Sequence, residues 1–88
     1  SGRDGIYNVR TDTEILPCKD YRIFYPGGQY LTLTNTDNNK ILAKIEEDSI
    51  RNLQEKGARN IYFLDHHNAL IRTKKYYYLY LLSYKSNL

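Results

Sequence analysis

The chain has 88 residues, ten tyrosines, a single cysteine and a formal net charge of +3. That length allows one domain with a limited core, the lone cysteine excludes an internal disulfide, and no apolar run approaches the roughly eighteen residues of a membrane-spanning helix. Charge is uneven, at −2 over residues 1–50 and +5 over residues 51–88, so the second half is the one to attract phosphates or acidic protein surfaces.

Ser1-Gly2 reads as the remnant of a cleaved tag. Residues 1–5 are expected to be disordered or tag-derived, and 6–88 to form a single β-rich domain. The absence of any methionine predicts a piece of a larger protein. Residues 6–10 form a short edge-strand candidate. Thr11 to Pro17 reads as a connection, because proline lacks a backbone donor. Cys18 is expected to be a buried, inert thiol, and its solitary state fits a reducing, intracellular setting.

Tyr21–Tyr25 is a strand, Pro26-Gly27-Gly28 a tight turn, and Tyr30–Thr34 an alternating strand with Leu31 and Leu33 on one face. Asn35 to Asn39 supplies a second turn and Lys40 to Glu46 a third strand. A helix of about two turns is expected next. Glu46, Glu47 and Asp48 would favour its N-terminus, Asp48 or Ser49 would cap it, Ile50 and Leu53 would share a face, and Gly57 would stop it.

Asn60 to Leu64 and Ala69 to Thr73 read as a second hairpin across Asp65-His66-His67-Asn68. The last segment, Tyr76 to Tyr84, reads as a strand on tyrosine density, with a helix as the alternative. As a strand it presents Tyr76, Tyr78, Tyr80, Leu82 and Tyr84 on one face. Tyr77, Leu79, Leu81 and Ser83 lie on the other, which reads as core. The predicted fold is α+β and mostly β: an antiparallel sheet or small, partly open barrel of about six strands, with one short helix between the third and fourth main strands. This order is similar to that of the oligonucleotide/oligosaccharide-binding fold, a likeness of element order alone.

The leading functional reading is a non-catalytic interaction or self-association domain whose partner is another protein or a second copy, with a homodimer favoured. One short helix can cover only one sheet face, which leaves tyrosine surface for a partner. The predicted contact residues are Tyr76, Tyr78, Tyr80 and Tyr84, flanked by Lys74 and Lys75. The second reading is a basic module for single-stranded nucleic acid, in which Arg72, Lys74 and Lys75 meet phosphate while Tyr62, Tyr76 and Tyr78 stack on bases. The third is a small nuclease-like enzyme using His66 or His67 with Arg59, Arg72 and Tyr62. Adjacent histidines on a strand point to opposite faces, the His-x-His spacing of rolling-circle nickases is missing, and Pro26-Gly27-Gly28-Gln29 lacks the Lys-Ser/Thr of a phosphate loop. No catalytic residue, metal, cofactor or membrane contact is therefore expected.

Overall fold

Alternation of apolar and polar side chains, broken by Asn-, Gly- and Asp-rich turns, gives eight antiparallel strands among the described residues. The computed structural model describes residues 3–54 and 57–82. The strands are β1 (Asp4–Asn8), β2 (Thr13–Gly27), β3 (Tyr30–Thr34), β4 (Lys40–Ile45), β5 (Ile50–Asn52), β6 (Asn60–Phe63), β7 (Asn68–Arg72) and β8 (Tyr77–Leu81). They form a five-stranded sheet in the order β1-β2-β3-β4-β5 and a three-stranded sheet in the order β6-β7-β8. The architecture is mostly β, as expected, but the sheets do not close into a barrel and no helix occurs among the described residues.

The expected helix is replaced by a hairpin. Glu46 N donates to Ser49 O at 2.8 Å, and Ile50, Arg51 and Asn52 pair with Ile45, Lys44 and Ala43. On a helix Ile50 and Leu53 would point the same way. On an extended chain they point to opposite faces, and here each face has a core to receive one of them. Ile50 joins the cluster of Leu31, Leu33 and Ala43, while Leu53 joins the cluster around Leu42. The spacing of these two residues fits both conformations, and burial on two faces decides for the strand.

Gly57 does not end a helix. It lets the chain pass close to the β3–β4 turn, since a Cβ at this position would lie 2.5 Å from Asn39 Cβ. The neighbouring Ala58 exchanges two backbone hydrogen bonds with Lys40, at 2.7 and 2.9 Å. Gly57→Ala is expected to destabilise the domain by about 1–3 kcal/mol through this overlap. A lowered urea midpoint with unchanged slope would report it, and a neutral result would contradict the close approach.

Pro17 lies inside β2 rather than in a connection. The pairing of β1 with β2 jumps from Asp4↔Tyr21 to Ile6↔Leu16, so Pro17 falls in the unpaired bulge between these pairs, where a missing donor costs nothing. Cys18 is exposed, not buried, and its Sγ donates to Arg3 O at 3.0 Å. The bulge turns the residue outward. The predicted β2–β3 hairpin forms, with Gly27 and Gly28 at φ of 120° and 80°. The turn of residues 35–39 also forms, built on the Asn35 side chain, which accepts from the Asp37 and Asn39 amides at 3.0 Å each.

Both faces of β4 are covered. Leu42 packs with Ile61, Ala69 and Ile71 of the second sheet and with the flanking Ala58 and Leu82, and Ala43 packs with Leu31 and Leu33 on the other side. The outer end of the five-stranded sheet, including Ile6, Leu16 and Tyr21, folds over that second cluster. Thr32 and Thr34 lie on the other face, opposite Leu42 and Lys40 of β4, and are buried as well.

Candidate interaction surface

The three-stranded sheet has one face in the core and one in solvent. Direct partners in an antiparallel ladder share a face, and the register pairs Ile61 with Ile71 and Phe63 with Ala69. These side chains meet Leu42, and Tyr80 and Leu82 join them from the β8 side. The opposite face follows from the same register. Asn60, Arg72 and Tyr77 form one row, and Tyr62, Leu70 and Leu79 form the next. Leu64, Asn68 and Leu81 form the third, held where Leu64 N donates to Asn68 O at 3.0 Å.

The outward rows are largely apolar. Leu79 is 66% exposed and Leu81 59%, and Tyr62, Leu64 and Tyr77 are also exposed. Polar groups sit at the margin. The Arg72 guanidinium lies 5.1 Å from the Tyr77 ring centre and donates to the Tyr77 hydroxyl. Asn60 Nδ2 donates to the Tyr62 hydroxyl at 3.0 Å. Lys74 and Lys75 are exposed in the β7–β8 turn beyond Arg72.

The segment from Tyr77 to Leu81 is a strand, but its faces are the reverse of those expected. Tyr77, Leu79 and Leu81, read as core, face solvent. Tyr80, read as contact surface, is half-buried against the core. Tyr76 and Tyr78 share the inward side but lie beyond the cover of the other sheet. Both are exposed, and their rings pack edge to face at 5.8 Å between centres. Tyr84 lies outside the described residues.

Both parities of β8 are apolar, so its own sequence could not assign the faces. A signal existed in β7. Asn68 and Arg72 share the parity of Leu70 and need water, while Ala69 and Ile71 do not. Pairing with β7 therefore turns Leu79, opposite Leu70, to the outside.

The other predicted sets do not converge on one surface. Tyr62 and Arg72 lie on the outward face, whereas Tyr76 and Tyr78 lie on the inward side of β8. His66 and His67 occupy the β6–β7 turn, while Arg59 and Arg72 lie at the far end of that hairpin, where Arg59 N donates to Arg72 O at 2.8 Å. Among the described residues no three His, Cys, Asp or Glu side chains come together as metal ligands.

The two histidines and Asp65 line a cleft of about 570 Å³ between the β6–β7 turn and the Pro26–Gln29 turn, with Tyr30, Phe63 and Leu82 also on its walls. The Tyr30 hydroxyl donates to Leu82 O across it. Asp65 is committed to the turn itself. Its carboxylate accepts from the His67 amide at 2.7 Å and the Asn68 amide at 2.9 Å, and also from the Asn68 side chain.

The His67 amide, followed by the Asn68 side chain, holds the Asp65 carboxyl below its ordinary value of 3.8. A depressed folded-state value means the stabilisation is complete above 3.8 and is lost as pH falls through the lowered value. The His67 and Asn68 amide resonances are expected to titrate with an inflection below pH 3.8. An inflection at or above that pH would contradict the turn geometry.

No family model, curated protein or solved structure matches the chain. Among the described residues no helix is long and apolar enough to cross a membrane.

Proposed function

We propose that this chain is a non-catalytic interaction domain that presents the outward face of the β6–β8 sheet to a protein partner, another chain or a second copy of itself. The observation that carries the reading is the exposure of Leu79 and Leu81 in one continuous surface with Tyr62, Leu64 and Tyr77. Isolated exposed apolar residues are ordinary, but a contiguous apolar sheet face costs free energy in water and usually meets another protein. Tyrosines flanking the central strand and cations at the margin suit such a contact. The rings bury area at low entropic cost, and Arg72, Lys74 and Lys75 steer acidic surfaces.

Leucine separates this reading from nucleic-acid binding. Bases stack on aromatic rings or guanidinium planes, and Leu64, Leu70, Leu79 and Leu81 offer neither. The exposed thiol of Cys18 fits a reducing, intracellular compartment. A photoreactive benzoylphenylalanine placed at Tyr62, on the outward face but on the strand farthest from β8, tests the reading. Discrete protein adducts support it. Adducts with added oligonucleotide that vanish steeply as salt rises would favour the basic-module reading instead, and the lack of any discrete adduct would overturn the assignment.

A further inference from the structure

We propose that the partner includes a second copy of this chain, paired antiparallel along β8 about a two-fold axis at Leu79. The proposal rests on reading this sheet as a contact surface and names one occupant for its edge. Strand β8 is an edge: the order is β6-β7-β8, and among the described residues no strand lies beyond it.

The ladder fixes which backbone groups that edge offers. Leu82 N donates to His67 O at 2.8 Å, and Thr73 N donates to Tyr76 O at 2.9 Å. With the register Ala69↔Tyr80 and Ile71↔Tyr78 between them, the even-numbered residues of β8 point their N–H and C=O groups at β7. Those of Tyr77, Leu79 and Leu81 point outward.

Edge strands are usually guarded by an inward charge, a proline or a bulge. Residues 76–82 contain no charge, no proline and no glycine, and the pairing with β7 runs without a register shift. Such a strand is a template for another strand.

Three features make a second copy fit. A two-fold axis at Leu79 sets Tyr77 opposite Leu81 and Leu79 opposite itself, so every outward backbone group is paired. It keeps outward side chains on the outward face, which a one-residue slip would reverse. It also separates the two Lys74–Lys75 turns to opposite ends of the pair, each directed toward the end that carries Asp65 in the other copy. Parallel pairing would set the basic turns side by side. Because the contact is isologous it closes at two chains and consumes the exposed edge. Two three-stranded sheets then form one continuous sheet, with the apolar outward face doubled.

Sedimentation across a concentration series, with amide exchange followed residue by residue, tests the pairing. The expected result is a dimer that dissociates on dilution, with the amides of Tyr77, Leu79 and Leu81 slowing as it forms. Leu79→Pro removes an outward donor that β7 does not use, a position where an edge strand tolerates proline. It is expected to raise the dissociation constant by roughly ten-fold or more with an unchanged near-ultraviolet spectrum. Leu79→Lys, which keeps the backbone donor but guards the edge, should act in the same direction.

A chain that is monomeric throughout would overturn the proposal. So would a dimer in which those three amides exchange freely, or a dimer indifferent to both variants. A monomeric chain whose Tyr62 probe still captures another protein would defeat the pairing and leave the broader reading standing. A dimer whose probe at Tyr62 captures nothing would do the reverse.

Discussion

Leu42→Ala is expected to destabilise the domain by about 3 kcal/mol, within the 2–5 kcal/mol range of buried leucine truncations. Leu42 is fully buried and is the side chain through which the five-stranded sheet meets Ile61, Ala69 and Ile71 of the other, with Leu82 just beyond it. Truncation removes apolar area and leaves a cavity between two sheets held apart by their other contacts, so collapse into the gap is limited. A domain of this length has a total stability of roughly 5–10 kcal/mol, and the loss is a large part of it. Leu81→Ala, the same chemical change at an exposed site, should shift stability by less than about 0.5 kcal/mol. Urea unfolding of the two variants provides the check. Equal effects would mean that Leu81 is covered or that Leu42 is not the junction.

The second large effect is on binding rather than stability. Replacing Tyr62 and Leu70 together by glutamate should abolish capture of a protein partner, with a loss of roughly a thousand-fold, as expected when two contact residues worth about 2 kcal/mol each are removed. Tyr62 is exposed and Leu70 only half-buried on the outward face, and neither belongs to a core cluster. The unfolding midpoint should therefore fall little. Circular dichroism with partner capture by the Tyr62-adjacent surface separates the outcomes. Capture retained by a folded double variant would place the contact elsewhere. Unfolding of the variant would mean that this face is structural.

Much of the fold was legible because local turn chemistry and alternation agreed. Pro26-Gly27-Gly28 flanked by alternating residues specified the β2–β3 hairpin, and Asn35 to Asn39 specified the next turn. Asp65 to Asn68 sat where a turn was needed, and the strands on either side followed from it. The expected helix failed because its two apolar residues, Ile50 and Leu53, suit one helical face or two strand faces equally. Only the presence of a core on each side of the five-stranded sheet distinguishes them. Pro17 misled in a related way. Proline interrupts a ladder unless a bulge receives it, and bulges leave little trace in a single sequence.

The exposed apolar surface was legible in kind but not in placement. An apolar C-terminal strand too rich for one small domain to cover was evident from Tyr76 to Leu82. Which parity faced water depended on the pairing with β7, where Asn68 and Arg72 hold one face outward. Leu79 and Leu81 are exposed together with Tyr76, Tyr77 and Tyr78, Tyr80 and Leu82 go inward, and Lys74 and Lys75 lie exposed in the β7–β8 turn.

Methyl resonances of the leucines, recorded with a soluble paramagnetic relaxation agent, test the role of the outward face most directly. In the dilute domain the methyls of Leu79 and Leu81 should broaden strongly while those of Leu31, Leu33 and Leu42 stay sharp. Addition of a captured partner should protect Leu70 and Leu79 and leave the buried three unchanged. Shielding of Leu79 and Leu81 in the dilute monomer, or their continued broadening with partner bound, would contradict the assignment of this face as the site of contact.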